Sequence, residues 1–230
     1  MAKASQRPQN TQSMTPTKEK LRHLLSHPAN FLIYLATRMP HFRFIRETAA
    51  TQVPITFSMW LAQKVRGINR ECYWPVHFTS LVYSPKNVYV GVETSPGYMP
   101  GCYIQAEEKI YVGDYSQIGP SVGIISANHD VYDCRVHELG EPIRIGRYCW
   151  IGMHAVVLPG VELGDFTVVG AGSVVTKSFP EGYCVIAGNP ARIIRRLEKA
   201  KCVEYKSQFE YNGYIKKTQF EAYRRQHLNV

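Results

Sequence analysis

The sequence predicts a mainly β protein: a parallel β-helix with a helical segment before it and a C-terminal helix after it. Three columns of residues predict this. Read from Ile145 to Phe179 in steps of six, the lead position runs Ile145, Ile151, Val157, Leu163, Val169 and Val175. The next position is Gly146, Gly152, Leu158, Gly164, Gly170 and Thr176, and the place four after each lead is Cys149, Ala155, Val161, Thr167, Ser173 and Phe179. An amphipathic helix repeats near 3.6 and a half-buried strand at 2, so neither explains a period of six. A fixed short period with an apolar lead is the pattern of a β-helix, in which each hexad gives one short strand and one corner. The lead and the small residue four places on point inward. Glycine after the lead suits a corner that needs positive φ or a close backbone approach.

The elements follow in order. Residues 1–17 are polar, rich in Gln, Ser, Thr and Pro, and read as a disordered head. Residues 18–71 read as a helical N-terminal cap. Thr17 is placed to cap a helix with Leu21, Leu24 and Leu25 on one face, Pro28 interrupts it, a second apolar segment runs from Phe31 to Arg38, and a further helix covers Phe57 to Arg66. An open β-helix end presents unpaired strand edges, so covering that end is the expected task of this segment. The basic residues His41, Arg43 and Arg46 also allow peripheral contact with a membrane. Residues 72–190 hold the β-helix. Its early coils are irregular, with β-rich stretches at Trp74 to Tyr83 and Val88 to Val92 and turn signals at Pro96, Gly97, Pro100 and Gly101. Val112, Ile118 and Ile124 keep the period, but Ile124 to Ile145 is 21 residues, which six does not divide. Part of residues 127–144 must therefore leave the coil as a loop, and loops on a regular scaffold often carry function. Residues 191–230 read as a helical extension: Ile193, Ile194, Leu197 and Ala200 suit a helix on the last coil, and a second helix covers Thr218 to His227.

Composition is that of a globular protein of 230 residues. Six cysteines show no C-x-x-C spacing, and Cys149 and Cys184 sit where small apolar residues are wanted, so they read as reduced fillers in a cytoplasmic protein. No signal-peptide or transmembrane pattern appears, since the best apolar run, Phe31 to Ala36, is far too short to span a bilayer. Net charge is +9. No nucleic-acid motif accompanies it. The cluster Arg192, Arg195, Arg196, Lys199 and Lys201 favours a phosphate-bearing ligand.

Several stretches together resemble the hexapeptide-repeat acyltransferases, in the branch of galactoside, maltose, virginiamycin and polysaccharide O-acetyltransferases. They are Ile124-Ile-Ser-Ala-Asn-His-Asp130, Cys149-Trp-Ile-Gly152, Leu158-Pro-Gly160, Val169-Gly-Ala-Gly-Ser-Val-Val-Thr-Lys177 and Ala187-Gly-Asn-Pro-Ala-Arg192. The resemblance covers roughly residues 86–197 and implies a left-handed coil, acetyl-CoA as co-substrate, no metal, and a homotrimer with its active sites between subunits. It implies a sugar or glycan hydroxyl as acceptor, for an enzyme in the cytoplasm or at the inner face of the membrane.

Transfer from a thioester to a hydroxyl needs a base for the hydroxyl proton, a donor for the oxyanion and a held thioester. Histidine suits the base role. Of eight histidines, His129 sits where the repeat breaks, and the family places its base in this loop. Asn128 or Asp130 could orient the ring, although Asp130 could equally form an Asx turn. His137 is the second candidate, and His154 is expected to face outward. The resemblance places coenzyme A contacts at Met153, Ala171, Thr176, Lys177, Arg192 and Arg195, with Met153 standing where the family has serine. Trp150 either walls the acceptor pocket or packs between subunits. N-acylation of an amino sugar or antibiotic, or a non-catalytic scaffold, remain as alternatives. A zinc-dependent carbonic anhydrase is disfavoured because His129 and His137 are too far apart in sequence to share its ligand spacing.

Overall fold

The computed structural model describes residue 35 and residues 37–230. The expected head, the Thr17 cap and most of the Phe31 to Arg38 segment lie outside the described residues. Two compact units divide at residue 43, and the β-helix belongs to the second, Phe44–Val230.

The coil has three faces, each a sheet of short strands. The first face stacks Val88–Val90, Ile110–Val112, Ile143–Ile145 and Glu162–Leu163; the second stacks Gln117–Ile118, Trp150–Ile151, Thr167–Val169 and Cys184–Gly188. The third stacks Leu81–Tyr83, Tyr103–Gln105, Gly123–Ile125, Val156–Val157 and Val174–Val175. Strands within each stack run parallel, and Ile145, Ile151 and Val157 lie opposite Leu163, Val169 and Val175, each 18 residues on. One turn of the coil is therefore three hexads. All six leads are buried, and so are all six residues four places on, from Cys149 to Phe179. Burial pushes the Cys149 thiol up to about 12, so it stays a neutral filler. All six cysteines are free.

Glycine after the lead answers to close approach. A Cβ on Gly164 would lie 2.1 Å from the carbonyl oxygen of Pro180, and one on Gly146 would lie 2.6 Å from the Asp165 amide nitrogen. Positive φ falls instead two places later, at Tyr148 (55°), His154 (57°), Gly160 (71°), Phe166 (55°) and Gly172 (68°). At the corner between the first and second faces this left-handed position is aromatic. Tyr115, Tyr148, Phe166 and Tyr183 stack there, with ring centroids 5.2, 4.9 and 5.2 Å apart.

The N-terminal end of the coil is closed by helical turns at Phe57–Trp60 and Leu61–Val65. Fully buried Gln63 donates to the carbonyls of Cys72 and Trp74 and accepts from the Val76 amide, satisfying the irregular backbone where the coil begins. The C-terminal helix, Lys217–His227, buries Phe220 against Tyr73 and Tyr89 of the early coils. This agrees with the expected second helix. The first expected helix after Pro190 does not form. Ala191–Arg196 is a strand, antiparallel to Cys184–Gly188. The last coil would otherwise leave an open edge, and pairing that edge outweighs the weak helical spacing of Ile193, Ile194 and Leu197.

Val112 lies opposite Ile145, 33 residues on. A coil takes 18, which leaves 15 residues outside the stack. They leave at the corner between the third and first faces as an antiparallel hairpin, Ala127–His129 against His137–Leu139.

Candidate active site

The hairpin places His129 directly opposite His137. Both side chains are exposed, and their rings meet with centroids 4.5 Å apart at 43°. Asn128 is exposed and pairs across the hairpin with Glu138. Asp130 does not hold the imidazole. Its carboxylate accepts from the Asp133 and Tyr132 amides, at 2.7 and 2.8 Å, as an Asx turn. Those amide bonds, first from Asp133 and then from Tyr132, hold its pKa below the usual carboxylate range. Arg135 forks onto Asp133 at 2.8–2.9 Å, and the braced tip presents Val131 and Tyr132 at 85% and 96% exposure.

The expected coenzyme A contacts fall on two corners. Met153 and Ala171 stack at the corner between the second and third faces, where the Gly172 amide donates to the Met153 carbonyl at 2.8 Å. A Cβ on Gly172 would meet nothing within 4 Å, so this corner is an open ledge. Arg192 pairs with Ala187 at the next rung of the same corner, and Arg195 pairs with Val185 further along the second face. Both arginines are exposed. Thr176 and Lys177 stand at the other corner, the one the hairpin leaves from; the amide of Leu158, the equivalent of Thr176 one coil earlier, donates to Val175. Lys177 Nζ lies 5.7 Å from the Phe179 ring centroid. Within the chain the third face thus separates the hairpin corner from the Met153–Ala171–Arg192 ledge. His154 sits exposed on the ledge corner, as expected for an outward residue.

Trp150 points outward from the second face between Gln117 and Val168, 59% exposed. It lines a cleft of about 440 Å³ with Tyr148, Phe166 and Tyr205. Tyr205 belongs to the segment that follows the strand Ala191–Arg196, and Tyr148 donates its hydroxyl to the Tyr205 carbonyl at 2.7 Å. Sequence reasoning missed this cleft. The signal was an aromatic three places after every third lead, visible at Tyr148 and Phe166. Among the described residues no group of three His, Cys, Asp or Glu side chains could hold a metal ion.

Residues 142–177 match the family of bacterial transferase hexapeptides, six repeats. The chain carries a hexapeptide-repeat β-helix. The hexapeptide coil is left-handed. Its chain is 37% identical over 132 residues to galactoside O-acetyltransferase of Escherichia coli K12, a match covering 54% of this chain and 59% of that one. The chain thus spans little more than half the length of the known relatives it matches. The crystal structure of a maltose O-acetyltransferase from Clostridium difficile 630 superposes with TM-score 0.52 at 27% identity, covering 73% of this chain and 89% of that one.

Proposed function

We propose that the protein transfers an acetyl group from acetyl-CoA to a hydroxyl of a sugar, within a glycan or glycan precursor, with His129 as the general base. The observation that carries this reading is the 15-residue interruption of the hexapeptide coil, which projects His129 on a braced hairpin. Both relatives named above are sugar O-acetyltransferases.

In this reaction the acceptor oxygen attacks the thioester carbonyl carbon while His129 takes the hydroxyl proton. The tetrahedral oxyanion collapses, the C–S bond breaks, and the thiolate regains a proton to leave as free coenzyme A. The product is an O-acetyl ester. His137 acts as a positioning residue, fixing the plane of the His129 ring by contact. The open corner at Met153, Ala171 and Gly172 suits an extended pantetheine arm. Arg192 and Arg195 suit its phosphorylated end, because guanidinium forks match phosphate oxygens. Thr176 and Lys177, beside the hairpin, belong to a second stretch of the same cofactor path. Met153 can contribute only its backbone and thioether there, since it has no hydroxyl.

The third face stands between the hairpin corner and the ledge, so the base of one subunit serves the ledge of its neighbour. A closed homotrimer supplies three such sites by head-to-tail contact. Trp150 faces the acceptor cleft under the same arrangement. The cytoplasm, where acetyl-CoA is available, is the setting this chemistry requires.

The test is acetyl transfer to galactosides and maltose, followed by thiol release. Mixed oligomers of His129→Ala and Arg192→Ala chains should then regain turnover that neither variant has alone. No turnover on any sugar would sink the activity. Turnover by wild type with no recovery in the mixture would sink the shared site.

A further inference from the structure

The first face carries a furrow that the proposed chemistry does not use. It runs along the coil axis beside the column Gly113, Gly146 and Gly164 and has a volume of about 470 Å³. These glycines make it: each lies so close to the next coil that a Cβ would come within 2.1–2.7 Å of backbone atoms. The floor is therefore main chain, fixed by the same packing that builds the coil.

One bank of the furrow is the outward column of the first face. Val88–Val90, Ile110–Val112 and Ile143–Ile145 send Tyr89, Tyr111 and Arg144 outward, and the register continues to Glu162. Tyr89 and Tyr111 lie with centroids 6.2 Å apart at 33°. Arg144 and Glu162 are direct cross-strand neighbours of opposite sign, which normally pair. Here they do not. The Arg144 guanidinium lies back over the Tyr111 ring, 4.4 Å from its centroid. Glu162 makes no side-chain hydrogen bond or ion pair with any described residue, and Glu181 at the far end of the furrow makes none either. Five coil levels, from Tyr89 to the turn that carries Glu181, extend roughly 19 Å at about 4.8 Å per strand spacing.

We infer that this furrow binds an extended neutral oligosaccharide, the part of a glycan acceptor distal to the reacting sugar. The inference rests on the sugar-acetyltransferase reading above. With Phe220 packed on the Tyr89 ring and Arg144 over the Tyr111 ring, the two tyrosines offer their hydroxyls, which donate to and accept from sugar hydroxyls. A guanidinium and two unpaired carboxylates donate to and accept from ring hydroxyls in the same stretch. The mixture of signs is the decisive chemistry. On a chain of net charge +9, a furrow built for phosphate or an acidic polymer would be basic, whereas this one sets Glu162 and Glu181 beside Arg144. The His129 hairpin returns to the coil just before Ile143–Ile145, so it meets the first face at the furrow's middle rung, Arg144, on the edge opposite the glycine column.

The experiment is calorimetric titration of the full chain with maltohexaose and with galactotetraose, beside the monosaccharides. Wild type should bind at least one oligosaccharide. Tyr111→Ala and the exposed, structurally mild Glu162→Gln should each weaken it about tenfold, and turnover on a simple galactoside should stay unchanged. Binding of neither oligosaccharide, or binding that both variants leave intact, would overturn the inference. Oligosaccharide binding that the variants weaken, with no acetyl transfer to any sugar, would keep the furrow and discard the activity.

Discussion

The coil from Ile143 to Gly188 and the hairpin inserted just before it obey different rules. In the coil every inward position is filled, and Ile151, Val157 and Val175 have no exposed surface at all. Each strand but the edge strand Val174–Val175 is held by a neighbour above and below. The hairpin is held by one short antiparallel pair, the Asp130 turn and the Asp133–Arg135 fork. It buries little and leaves Val131, Tyr132, Val136 and Leu139 exposed. Stability and chemistry are thus separated. The repeated coil tolerates an insertion because its neighbours restore the register, with Val112 stacking on Ile145 across the inserted residues. A side chain that must meet a substrate is free to vary on the inserted segment without disturbing the core.

Substitutions in the two regions should therefore diverge. The largest effect on folding is expected from Ile151→Ala, which removes a fully buried side chain where coils above and below cannot collapse. A loss of about 3 kcal/mol in denaturant unfolding follows from such truncations. His129→Ala should cut acetyl transfer by about a hundredfold or more while the unfolding midpoint stays put. A matching loss of stability would mean that the hairpin is part of the fold and the contrast is wrong. Tyr132→Ser, at the exposed tip, should leave unfolding within about 0.5 kcal/mol of wild type. The smallest effect is acid loosening of the hairpin. The Asp130 carboxyl is held below its ordinary value by the Asp133 and Tyr132 amides, so its contribution is present above the usual carboxylate range. It is lost as pH falls below that range. Amide exchange at Tyr132 and Asp133 should rise there before any coil amide does. Simultaneous exchange in both regions would erase the distinction.

The sequence reading was reliable where one rule repeated. Both inward columns, the slip that forces residues out before Ile145, and the terminal helix near Thr218 follow from spacing alone. It failed at the margins of the repeat. Ile193, Ile194 and Leu197 fit a helix, yet the exposed edge of Cys184–Gly188 draws Ala191–Arg196 into a strand. Asp130 was legible as an Asx turn or as a partner for His129, and the local amides of its own turn took the carboxylate.

The chain's period of six, by itself, determined the coil, its inward columns and the place of its interruption, because a repeat stacks on itself and each position meets its own equivalent. Only the tertiary structure decided which corners share residues. Met153, Ala171 and Arg192 fall on one corner and Lys177 with the hairpin on another, since three hexads make a turn and residues 18 apart become neighbours. The tertiary structure also decided that Arg144 lies over Tyr111 and leaves Glu162 open. Such a choice among neighbours depends on the side chains of two coils at once, and no spacing within one coil records it.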